Sequence, residues 1–110
     1  MIEVKDFNLL SQILSKAEFV SNSLCDLDLL SYKNNDEVKS SVMFNVSIIS
    51  SLINDLSRQF ISKHNSFPWI DVMVRYYKVV NADYIDDERV FYTLKDSIDN
   101  LFIYIKNILR

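Results

Sequence analysis

Apolar residues recur along this chain at the three- and four-residue intervals of a helix, not in the alternation of a strand. Phe7, Leu10, Ile13, Leu14, Ala17 and Val20 fall on one face of a first long segment. Leu24 to Leu30 is shorter, and Asp26 and Asp28 between leucines make it one helical turn or two. The polar stretch 31–35 reads as a loop, with Asn34 or Asn35 placed to cap the next segment. Val38, Val42, Val46, Ile49, Leu52, Ile53, Leu56 and Phe60 then keep helical spacing and predict the central helix. Ser40, Ser41, Ser47, Ser50 and Ser51 lie along it, small enough to let another helix come close. Pro68 is expected to open a further helix, because its missing N–H costs nothing in a first turn. Trp69, Val72, Val79 and Val80 are its expected inner face. After a short connection, 82–85, the acidic run Asp86-Asp87-Glu88 sits where the positive end of a helix dipole favours anions. Val90, Phe91, Leu94, Ile98, Leu101, Phe102, Ile105 and Leu109 form the stripe of that last helix, closed by Lys106 and Arg110. Residues 101–105, Leu-Phe-Ile-Tyr-Ile, are apolar on nearly every side, which predicts a homodimer contact there.

Composition narrows the field. The chain has 110 residues and one expected domain, 1–110, with no repeat or linker dividing it. It contains no glycine. Phosphate-cradling loops of the Walker and dinucleotide kinds, and tight Asn-Gly hairpins, are therefore excluded. The formal net charge of −3 gives no overall attraction to phosphate backbones or anionic membranes, so any RNA contact would need a local basic patch. The single cysteine, Cys25, cannot close an intrachain disulfide and fits a reducing, cytoplasmic setting. No signal-peptide pattern and no apolar run of about 20 residues is expected to direct the chain to or across a membrane.

Candidate chemistry concentrates between His64 and Leu94. Arg75, Tyr76, Tyr77, Lys78 and Asn81 ride on the helix after Pro68, with Asp83 and Tyr84 just beyond. Arg75 can bind phosphate or pair with Asp71. The tyrosines can stack on bases or bury their rings with the hydroxyls wet. Asp83, Asp86, Asp87 and Glu88 look like a metal cluster on paper, but a helix start explains them, and no metal or other cofactor is expected.

The order of parts resembles the HepT-like toxins of the HEPN superfamily over most of the chain. The residues that carry the resemblance are Asn45-Val46-Ser47-Ile48-Ile49-Ser50-Ser51-Leu52 on the long helix and His64-Asn65-Ser66-Phe67-Pro68-Trp69 after it. Ile85-Asp86, Glu88 and Val90-Phe91-Tyr92-Thr93-Leu94 correspond to the family's last helix. The resemblance implies an all-α, antiparallel bundle of four to five helices that pairs as a homodimer. It implies a metal-independent ribonuclease site in a cleft between subunits, in which an arginine orients phosphate, a histidine exchanges protons and a tyrosine supports it. It also implies a partner, a small MntA-like nucleotidyltransferase antitoxin that adenylylates the motif tyrosine.

The motif itself is altered. The catalytic histidine position falls on Asn81, and one-residue slips bring Arg75 and Tyr84 to the arginine and tyrosine places. The acidic position of the long helix is Ser51. The chain's only histidine is His64, in the preceding turn. An asparagine amide does not titrate near neutral pH and cannot relay protons. Arg75, Asn81 and Tyr84 are thus the degenerate motif positions, with Tyr76, Tyr77, Lys78 and Ser51 as the expected RNA or partner cleft. Three functions are compatible with these residues. The first is a catalytically degenerate HepT-like homodimer that binds a nucleotidyltransferase or RNA. The second is an active ribonuclease toxin with a rearranged site. The third is an unrelated helical adaptor.

Overall fold

A computed structural model describes residues 2–110. Six helices occur in order: α1 (Val4–Leu24), α2 (Leu29–Lys33), α3 (Asp36–Asp55), α4 (Arg58–Lys63), α5 (Trp69–Val80) and α6 (Asp87–Ile108). No strand occurs among the described residues, so the chain is all-α, as the apolar spacing predicts. None of these helices is long and apolar enough to cross a membrane.

Local signals start the helices. Asp28 accepts the Ser31 N–H at 2.8 Å and caps α2, and Asn35 accepts the Val38 N–H at 3.0 Å and caps α3. Asp86 accepts the N–H groups of Glu88 and Arg89 at 3.1 and 3.2 Å and caps α6. Pro68 is the N-cap of α5, not its first helical residue, and Trp69 opens the helix.

The long apolar run 38–60 is two helices, not one. It breaks at Leu56 and Ser57, where a residue from another helix intervenes. Asp6 of α1 accepts the Ser57 N–H at 2.9 Å through one oxygen and the Ser57 hydroxyl at 2.6 Å through the other. The Ser57 Oγ in turn accepts the Phe60 N–H at 3.1 Å and caps α4. Asp6 is only 2 % exposed and takes the place on the inner face of α1 expected of Phe7, which is 46 % exposed. The buried line of α1 is Asp6, Leu10, Ile13, Ala17, Val20 and Leu24.

The four longer helices pack in a ring, with α5 returning to touch α6. α1 lies between α6 and α3, α3 lies between α1 and α5, and the short α2 covers one end against α3 and α6. A shortest dimension of 20 Å fits two helix diameters. Ser21 donates to Asp99 at 2.6 Å between α1 and α6, and Lys39 pairs with Asp87 at 3.0 Å between α3 and α6.

The segment 101–105 is covered within the chain only in part. Leu101 and Ile105 are fully buried. Tyr104 packs on Phe67 and Trp69, with ring centroids 5.0 and 5.7 Å away, and its hydroxyl meets the Ser66 hydroxyl at 2.7 Å. Ile103 alone of the five stands largely exposed, at 55 %. Phe102 and Tyr104 are half-buried beside it, so apolar surface stays open on this face of α6.

One core side chain is imperfectly matched. Tyr32 is fully buried against Phe91, its hydroxyl has no hydrogen-bond partner among the described residues, and burial pushes its pKa up to about 12. Removing an unpartnered buried hydroxyl relieves its desolvation cost. Tyr32→Phe is expected to leave stability unchanged or raise it by up to about 1 kcal/mol. Urea denaturation checks this, and a clear loss of stability would mean the hydroxyl has a partner.

Candidate functional site

The serines of α3 decide where a groove between α3 and α5 lies. Ser50 is nearly buried and donates to the Met73 carbonyl at 2.9 Å, which brings α5 close to α3. On either side the small side chains leave space. The result is a groove of about 550 Å³, floored by Ser47, Ser50, Ser51 and Asn54 of α3 and walled by Met73, Val74, Tyr77, Lys78 and Asn81 from α5 and its cap.

Four residues singled out from the sequence, Ser51, Tyr77, Lys78 and Asn81, line this groove. Asn81 ends α5, and both its backbone N–H and its side-chain NH₂ donate to the Tyr77 carbonyl at 3.0 Å. Its amide oxygen remains an acceptor. Among the described residues, no side-chain hydrogen bond or ion pair occupies Ser47, Ser51, Asn54 or Lys78. Other helix serines behave differently: Ser11, Ser23, Ser41 and Ser97 each donate back to the carbonyl four residues earlier.

The other singled-out residues go elsewhere. Arg75 lines a second groove with Asp86, Glu88, Arg89, Tyr92, Thr93 and Asp96, and no ion pair joins it to Asp71. Tyr84 stands 82 % exposed beside a small hollow bordered by Lys78 and Arg89. Arg75, Asn81 and Tyr84 therefore do not converge on one cavity within the subunit.

Tyr76 needs a correction, because it is not a cleft residue. It is fully buried, on the same side of α5 as Trp69, Val72 and Val79. Its hydroxyl lies 2.6 Å from Ser97 Oγ. Ser97 spends its one proton on the Thr93 carbonyl at 2.7 Å, so Tyr76 is the donor between them. Burial pushes the Tyr76 phenol up to about 12.

His64 serves structure. Its carbonyl accepts the Trp69 indole N–H at 2.9 Å, and its ring stacks on Phe60 at 4.5 Å. It borders a hollow of about 30 Å³ with Asp6, Ser57 and Lys63, not the α3–α5 groove. The acids near the start of α6 have partners of their own: Asp86 caps the helix and Asp87 holds Lys39. Among the described residues no three side chains group to hold a metal ion.

Asn54, Met73 and Val74 also belong to the groove, although the residue types alone do not mark them for chemistry. A signal is present nonetheless. Ser47, Ser51 and Asn54 on α3, and Val74, Tyr77, Lys78 and Asn81 on α5, repeat the same three- and four-residue spacing on two facing helices. Comparison with protein-family models, with curated proteins and with solved structures finds no match to this chain.

Proposed function

We propose that this chain is a HepT-like protein that works by binding and does not cut RNA. In this reading it is a homodimer that holds a nucleotidyltransferase partner or an RNA strand. One observation supports it above the others. The groove that holds Asn81 contains neither a histidine nor a carboxylate: its lining is serine, asparagine, tyrosine, lysine, methionine and valine. An acid–base step contributes about 10² to 10⁴-fold to such a reaction, and histidine, the residue that most often supplies it, is missing from the groove. The dispersal of Arg75 and Tyr84 points the same way, because phosphate orientation and proton transfer need groups within about 3 Å of one reacting centre.

The test is a metal-free cleavage assay on single-stranded RNA with the natural protein and with Asn81→His. Neither is expected to cleave, because a new imidazole at position 81 still lacks Arg75 in its groove. Strong cleavage by Asn81→His would show that the remaining groups converge after all, across a subunit boundary.

A further inference from the structure

We propose that the α3–α5 groove is a binding site for a small aliphatic monocarboxylate. This goes beyond the HepT-like reading and does not depend on it. The groove's volume, about 550 Å³, lies within the roughly 300–1,000 Å³ of small-molecule sites. Its lining joins an apolar wall to polar side chains, the combination such sites share, although Ser47, Ser51, Asn54, Lys78 and Asn81 are all exposed at its mouth. Met73, Val74 and the Tyr77 ring form the wall. Ser47, Ser51, Asn54 and Lys78 supply donors that no other described residue uses.

Charge selects the ligand's head. Among the described residues Lys78 is the one charged side chain of the lining and no ion pair holds it, with Asp86 bordering the adjoining hollow that Lys78 shares. One cation matches one anion. Lys78 also sits in the last turn of α5, where the helix carbonyls carry partial negative charge. That field opposes negative charge in general, and so disfavours a doubly charged head more than a singly charged one. Phosphate esters are usually gripped by an arginine fork or a helix N-terminus, and the groove has neither. A carboxylate therefore fits better than a phosphate. The floor from Ser47 to Asn54 rises about 10 Å along α3, a length that an extended octanoate matches.

Octanoate is the probe. Titration into isotope-labelled protein, followed by amide chemical shifts, is expected to move residues 47–54 and 73–81 and to saturate with a Kd at or below about 1 mM. Lys78→Gln, an exposed change, is expected to weaken binding about tenfold. Ser51→Leu fills the groove and is expected to abolish the shifts. Octan-1-ol, lacking the charge, is expected to bind about tenfold less well than octanoate. The proposal is overturned by any of three results: shifts that scatter over the surface or fail to saturate below roughly 10 mM, equal binding of octan-1-ol, or inorganic phosphate competing octanoate away. RNA cleavage by the same sample would sink the binding-only reading above while leaving these shifts as they are, so the two failures are distinguishable.

Discussion

Trp69→Ala is expected to cost about 3–5 kcal/mol of folding stability, the usual range for removing a buried tryptophan. The side chain is 1 % exposed and joins three segments. It meets Phe60 of α4 at 5.4 Å, Phe67 of the connection at 4.7 Å and Tyr104 of α6 at 5.7 Å. Its indole N–H also holds the His64 carbonyl at the end of α4. Alanine leaves a cavity among the surrounding rings and strands that carbonyl. Small domains are stable by only about 5–15 kcal/mol, so the loss is a large part of the whole. A fall in Tm on the order of 15 °C should accompany it. Trp69→Phe keeps a ring and loses the hydrogen bond, and should cost about 1–2 kcal/mol. If Trp69→Ala melts within a degree or two of the natural protein, the aromatic cluster does not fasten α5 to the rest. The groove would then lose its wall's anchor, since α5 meets the fold through this cluster, its contact with α3 and the Tyr76–Ser97 bond.

Asp6→Ala is expected to cost about 3 kcal/mol, because it breaks two hydrogen bonds to a charged acceptor and leaves Ser57 without it. The effect reaches beyond one contact. Asp6 sets the point at which α3 stops and α4 begins, and so the path by which the chain returns along α3. A double-mutant cycle tests this reading. Asp6→Ala and Ser57→Ala should be strongly non-additive, with the double variant little worse than Asp6→Ala alone, and a coupling of about 0.5–3 kcal/mol. Simple addition in urea denaturation would show that the two residues act independently.

The helices are legible in the sequence because burial of one face imposes a period on the apolar positions. The break at Leu56 and Ser57 is not, because Asp6 lies 51 positions away in the chain and nothing local requires the helix to stop. The same cause displaces Phe7: an aspartate on the inner face is unexpected until its two Ser57 bonds are seen. Within the apolar run 101–105, the contact of Tyr104 is hidden from the sequence because its cover, Phe67 and Trp69, arrives from a connection and the start of α5.

The site divides along similar lines. Helical phase alone separates Arg75 from Tyr77, since two residues turn about 200°. The resemblance places Arg75 and Asn81 together as motif positions, but six residues turn about 240° beyond a full revolution and direct them to different grooves. Tyr76 and Tyr77 are alike in composition and opposite in fate, and the phase of Val72 and Val79 already distinguishes them. The groove's volume is beyond the sequence. It depends on how closely the Ser50 bond to Met73 draws the two helices, which is a matter of tertiary geometry.

The central claim is that a groove of amides, hydroxyls and one lysine binds and does not catalyse. The most direct measurement is incubation of the purified natural protein with end-labelled single-stranded RNA at neutral pH in the presence of a chelator. Intact RNA over hours at micromolar protein is the expected result. Cleavage that disappears in Asn81→Ala would contradict the claim, and would show that this site moves protons by a route its side chains do not reveal.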